Sequence, residues 1–481
     1  MTALPSAAGA APRVDSRPVP MPTSRRGSEL AMLCFAIAIM AFAFTSAGIG
    51  LTGHIPSGLV TYVAGFAVLM LAGHFAVRWL APWADPLLLP LAALLNGLGI
   101  VMIWRLQESG RGSNPGLVIT TLTAHSALYQ LVWTALGMAI FVAVLVFVRE
   151  ARVLQRYTYT LGLAGLILLA LPALLPASIS AVPGTNAKVQ IRLGPLSFQP
   201  EEFAKILLAV FFAGYLVAKR DVLSLAGRRF LGIDLPRARD LGPILVLWLI
   251  SMLVLVFESD IGTSALFFGL FVAMLYLATQ RKSWLIIGFG LFVSGSLLLS
   301  TVIAHVHERF DIWLHPFTAV NIYGNSYQLV QGLEGMAFGG SFGTGLGQGE
   351  PYHTILVQSD LIFTGFGEEL GLTGAMALLL IYGLLVQRGL RAAIAVRDPF
   401  SKLLAGGLSF VLALQVFIIV GGVTQLIPLT GITTPFLSQG GSSLVGSWAV
   451  MGLLIRISDA ARRPPPQSIQ DEGLTQVVRA G

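Results

Sequence analysis

Four separate sets of ionisable residues interrupt an otherwise apolar chain, and their types suit a site that binds an anionic group and moves a proton. In SDLIFTGFGEELG, Asp360 precedes Glu368 and Glu369, which lie within an apolar segment. Carboxylates placed there are costly and mark a functional site by default. FQPEEFAKI opens another apolar stretch with Glu201, Glu202 and Lys205, just after Lys188 and Arg192 in NAKVQIRLG. Cations lining a wet pocket attract phosphates. The alternative is a helix anchor at the membrane interface, with Glu201 and Glu202 paired to Lys205 at helical spacing. Glu258 and Asp260 in FESDIGTS open the next span, Asp260 either as an N-cap or as a substrate contact. Finally, HERFDIWLHPF alternates charge with Phe310, Ile312, Trp313 and Leu314, as an interfacial helix would, and carries Asp311 beside Arg309 and His307.

The elements that must hold these groups are membrane spans. Of 481 residues 55% are hydrophobic and 11% charged, with a mean hydropathy of +0.79. Soluble proteins carry about 25% charged residues. The 53 glycines and 25 prolines suit close helix contacts and broken helices. A single cysteine, Cys34, excludes an intrachain disulfide or a Cys metal cluster. The net charge of +7 fits basic cytoplasmic loops better than nucleic acid.

Residues 1–29 read as a disordered tail without signal-peptide features. Apolar stretches of spanning length follow at 30–52, 59–80, 86–104, 128–148, 158–180, 201–218, 240–257, 261–279, 283–305, 360–386, 403–424 and 441–457. The expected fold is therefore an all-α polytopic integral membrane protein of about twelve transmembrane helices. A large extracytoplasmic loop covers 306–357, and a second tail 459–481. With the N-terminus inside, every inner loop is basic, and the outer segments hold only Arg105, Arg111, Lys188, Arg192 and Arg309. That asymmetry predicts a multi-pass protein with both termini cytoplasmic.

The loop stretch GGSFGTGLGQG follows no predicted strand and lacks a Gly-Lys-Ser/Thr ending, which argues against a nucleotide loop and for flexible or re-entrant backbone. In TQLIPLTGITTPFLSQGGSSLVGSW there is no charge. Ser442 and Ser443 either cap the last helix or leave its backbone to line a cavity.

Five motifs now occur in order: FQPEEFAKI (198–206), SDIGTS (259–264), GNSYQLVQ (324–331), SDLIFTGFGEELG (359–371) and PLTGITTPFLSQGGSSL (428–444). Together they resemble the SEDS family (shape, elongation, division and sporulation) of RodA- and FtsW-like peptidoglycan glycosyltransferases, over roughly residues 90–458. The SQGGSS form and the additional N-terminal helices, residues 30–85 ahead of a membrane domain at 86–458, are similar to the RodA-like branch of actinobacteria. The resemblance implies polymerisation of lipid II at the outer face of the bacterial cytoplasmic membrane, with undecaprenyl diphosphate as leaving group. It implies a class B penicillin-binding protein, a transpeptidase, as partner, and no nucleic acid. On the family pattern Glu202 and Lys205 fall on QPxEFxK, Asp260 on Asp-x-Gly-Thr, and Asp360, Glu368 and Glu369 on Asp-Phe-Ile-Phe…Glu-Glu. Lys188, Arg192 and Lys205 are the expected diphosphate contacts. A divalent cation, Mg or Mn, at the diphosphate is a further expectation, with no diagnostic ligand spacing behind it.

The chain departs from the family at one point. The essential outer-loop carboxylate falls, counting back from Tyr327, on Asn321, and no Asp or Glu lies between Asp311 and Glu334. An amide cannot act as a base, so Asp311 is the expected substitute. Two other readings remain open: a lipid II transporter (flippase), and a non-catalytic scaffold for a transpeptidase that lost its base at Asn321.

Overall fold

The computed structural model describes residues 25–112, 125–180, 188, 190–193, 196–223, 226–230, 233–236, a few positions between 246 and 253, and 261–464. Ten helices among them are long and apolar enough to cross a membrane. In order, α1 is Arg26–Thr52, α2 Leu59–Leu80, α3 Leu88–Gly112, α4 Ser126–Phe147 and α5 Thr158–Leu174. Then come α6 Glu201–Leu223, α7 Ile261–Thr279 and α8 Lys282–Val302. Two shorter helices follow, α9 Ala304–Leu314 and α10 Tyr327–Gly339, before α11 Ile362–Ala395, α12 Pro399–Val423 and α13 Gly441–Arg462. Of these, α6, α9 and α10 are not among the ten. The expected span at 240–257 lies largely outside the described residues.

Several expectations are corrected in detail. The helical membrane fold stands as expected, with two short antiparallel hairpins added: β1 Ile191–Leu193 pairs with β2 Leu196–Phe198, and β3 Ala226–Phe230 with β4 Ile233–Pro236. α1 starts at Arg26, where the Arg26–Glu29 ion pair closes the first turn. At the other end α13 continues to Arg462, its Ser458 and Asp459 buried against the backbone N–H groups of Asp85 and Trp83. The span expected at 158–180 ends at Leu174, close to Pro172 and Pro176. The span that follows the central loop runs on to Ala395, bending at Gly371 (φ 66°, ψ −170°), a backbone state that only glycine adopts without strain.

Burial separates hub from rim. In α13 89% of the apolar window is buried, and 83% in α3, against 17% in α8, which is left to lipid. Trp448 of α13 sits at the centre, edge-on to Phe141 and Phe436, and its indole N–H donates to Asn96 Oδ1 of α3 at 3.2 Å. A buried Trp needs such an acceptor. A small residue lets the neighbouring helix approach: a Cβ on Gly137 of α4 would stand 2.6 Å from the Trp448 ring. This hub fixes where the ends of α3, α6, α7, α12 and α13 meet, and the polar sets gather at those ends.

Candidate functional site

Lys205 lies one turn into α6 and is only 3% exposed. It forms an ion pair with Glu202 and donates to Gln415 Oε1 of α12 at 2.9 Å. Gln415 in turn donates to the Thr433 carbonyl at 2.9 Å, and Thr433 Oγ1 lies 3.5 Å from Glu202 Oε1. Glu201 departs from the expected pairing: it accepts from Thr263 Oγ1 at 2.6 Å, in the first turn of α7. A charge this deep is tolerated only when paired and hydrogen-bonded, as Lys205 is with Glu202 and Gln415. Two small cavities adjoin the ammonium, one toward Phe436 and Ser447, the other toward Glu201 and Thr263.

The segment between α12 and α13 closes the group. Gly262 leaves room for it, since a Cβ there would come within 2.8 Å of Thr430 Cβ. Asp360 sits beside Gly431, whose φ is +76°; a Cβ on that glycine would stand 3.6 Å from the Asp360 carboxylate. Ser438 donates to the Ser359 carbonyl and accepts from the Thr434 N–H, while the Gln439 N–H reaches the Gln358 carbonyl at 2.8 Å. Ser442 does not cap α13; it accepts from the Gln199 N–H at 3.0 Å, tying the QPEEF turn to the last helix. Buried oxygens of Thr434, Gln439 and Ser443 have no hydrogen-bond partner among the described residues. Such oxygens call for a donor from water or a ligand.

Asp311 and Asn321 prove to be direct neighbours. Asn321 Nδ2 donates to Asp311 Oδ2 and to the His315 carbonyl, both at 3.0 Å, and His315 Nδ1 lies 3.3 Å from Asp311 Oδ1. The amide is buried at 9% exposure, but the carboxylate side chain is 47% exposed. The hydrogen bond from Asn321 holds Asp311 below the ordinary carboxylate range. α9 is docked on the bundle by a reciprocal clamp: Trp313 Nε1 donates to the Gln425 carbonyl at 2.9 Å and Gln425 Nε2 to the Trp313 carbonyl at 3.0 Å. Val306 of the same helix is buried against Ile261, at the start of α7. Asp311 and Lys205 are thus both tied to the 424–440 segment.

The structure leaves other expected residues apart. Lys188 Nζ donates to the Leu175 carbonyl at 3.3 Å, and Arg192 lies on β1 opposite Ser197. Asp260 is outside the described residues. Glu369 is fully buried against Arg105 of α3, and Glu368 accepts from the Glu350 N–H at 2.5 Å, so both carboxylates are engaged inside the protein. Arg105 also donates to the Gly349 carbonyl. Sequence reasoning counted Arg105 as an outer charge and passed over Gln415 and Thr433. The signal for Gln415 was a lone amide in FVLALQVFIIV; for Thr433 there was none.

No three His, Cys, Asp or Glu side chains converge as a metal site among the described residues. Glu202 and Glu201 are engaged within the protein, by Lys205 and Thr263 respectively.

Comparison with known proteins gives a consistent outcome. The peptidoglycan glycosyltransferase RodA of Mycobacterium tuberculosis is 49% identical over 92% of both chains, and that of Mycobacterium leprae 47% identical over the same shares. A solved chain from a peptidoglycan synthase complex, in work on coordination of polymerisation and crosslinking, matches with a TM-score of 0.51 at 24% identity. The match covers 84% of this chain and 98% of that one, and it extends the likeness to the fold. A cell cycle protein family model, that of FtsW, RodA and SpoVE, matches residues 85–463, and the chain therefore belongs to that family.

Proposed function

We propose that this chain is a peptidoglycan glycosyltransferase that polymerises lipid II at the outer membrane face, with Asp311 as general base. In this reading the Asp311 carboxylate takes the proton of the acceptor 4-hydroxyl as that oxygen bonds to the anomeric carbon of the lipid-linked chain. The carbon–oxygen bond to undecaprenyl diphosphate breaks, and the diphosphate leaves as an anion. Lys205 offers that anion a buried positive charge, and Asp360, beside Gly431, borders the acceptor; Lys188, Arg192 and Asp260 stay assigned to the substrate on sequence grounds alone. No step runs through a divalent cation.

The observation that carries the reading is the direct hydrogen bond from Asn321 to Asp311. It supports a carboxylate poised beside the position where the family's base is expected, ionised and open to solvent. Membrane orientation follows the charge: Arg26, Arg388, Arg456, Arg462 and Arg463 gather at the ends opposite the site. Both termini would then be cytoplasmic. A class B penicillin-binding protein is the partner in this reading, since the described outer loops form no crosslinking domain.

The test is polymerisation of labelled lipid II by the purified chain, alone and with its transpeptidase. Asp311→Asn is expected to lower the rate about 10²–10⁴-fold, the usual loss of a general base. Full activity of Asp311→Asn would overturn the assignment. An inactive parent that gains activity as Asn321→Asp would instead support the scaffold alternative.

A further inference from the structure

The family match begins at residue 85, yet α1 and α2 precede it and are firmly built into the molecule. At one end of α1 the buried Arg26 pairs with Glu29 and donates to the Ala84 carbonyl. Glu29 also meets His74 Nδ1 of α2 at 2.8 Å. Arg456 of α13 reaches back to the Leu80 carbonyl, where α2 ends. These contacts fix the foot of α1 against the family domain.

The other end of α1 meets the glycine-rich stretch 340–349 backbone to backbone. A Cβ on Gly50 would collide with the Leu346 carbonyl oxygen, and one on Gly347 (φ +82°) with the Ala47 carbonyl. The loop is not free backbone. The Thr344 and Gly345 N–H groups donate to the carbonyls of Glu368 and Glu369, both at 3.0 Å, and those of Leu372 and Thr373 donate back to Gly340 and Ser341. Arg105 holds Gly349 and Glu369 together. α10, which carries the loop, packs so closely on α11 that a Cβ on Gly339 would collide with the Gly367 carbonyl. At its other end α10 joins Ser326, bonded to the Pro316 carbonyl at 2.6 Å within the Asp311–Asn321 turn.

We propose that α1, footed by Arg26, Glu29 and His74, is a brace that seats the glycine-rich loop on α11, making Gly50 and Gly347 positioning residues for polymerisation. The proposal rests on the activity assigned above. The brace sets the height of the loop and so the angle of α10, which carries the Asn321 turn. It touches neither the acceptor nor the diphosphate, so losing it misaligns the base without weakening lipid binding.

Gly50→Val in the full chain, reconstituted in lipid nanodiscs, separates the possibilities. Gly27→Ala is the control on the same helix, since nothing lies within 4 Å of a Cβ there. The expected result is faster amide hydrogen exchange at Thr344 and Gly345, with kcat for lipid II reduced about tenfold, equivalent to 1.36 kcal/mol. KM should stay within about twofold, because uniform binding is untouched. If the valine variant fails to insert, Gly50→Ala gives the smaller displacement, and Glu29→Gln loosens the foot. Unchanged exchange in variants that insert would overturn the brace. Raised exchange with parental kcat would overturn its link to catalysis. An inactive parent would overturn the assigned activity alone, leaving the brace to the exchange comparison.

Discussion

Replacing Lys205 with Met tests whether the buried ammonium serves the substrate or only the bundle. The side chain is 3% exposed and held by Glu202 and Gln415, so its removal strands a carboxylate buried in the protein. Breaking one side of a buried pair costs about 3–5 kcal/mol, whereas replacing both partners with neutral groups is often close to neutral. Lys205→Met alone should therefore lower the thermal midpoint in detergent, and Lys205→Met with Glu202→Gln should recover most of it. Polymerisation should not recover. A charge-assisted contact to the leaving diphosphate contributes about 1.5–3 kcal/mol, roughly 10- to 150-fold in rate. The assay is initial rate of glycan synthesis from labelled lipid II, with the thermal midpoint measured on the same preparations. A double variant that regains both stability and full polymerisation would refute the role, leaving Lys205 as an internal strut.

Two further outcomes follow. The Asn321 hydrogen bond depresses the Asp311 pKa, so the carboxylate is ionised above that lowered value and activity is lost only as pH falls through it. Asn321→Ala removes the bond and should move the acid limb of the pH–rate profile up, toward the ordinary Asp value of about 3.9; an unmoved limb would separate Asp311 from the rate. For topology, Tyr323→Cys, at a position 86% exposed beside the Asn321 turn, should react with an impermeant thiol reagent from outside in a Cys34→Ser background. Labelling from the cytoplasmic side alone would invert the orientation.

Sequence alone determined the membrane class, because a chain with 11% charge cannot cover a soluble surface. It also located most spans and the ordered motifs, since spanning length and composition are local properties. Asp311 could be nominated only through the family resemblance, which expects a carboxylate where this chain carries Asn321. What sequence could not decide was which charges meet. Glu201 and Glu202 are adjacent, but the turn of α6 sends one to Thr263 and the other to Lys205. Gln415 reaches Lys205 and Thr433 reaches Glu202 from another helix and its following segment, contacts between positions 210 residues apart or more. Arg105 read as an outer loop charge, yet helix packing buries it on Glu369 and turns both carboxylates of the GEELG motif away from solvent. The glycine-rich stretch read as flexible because glycine permits flexibility. Close approach of α1 and α11 instead uses the missing side chains for backbone contact, and only the packed helices could reveal that.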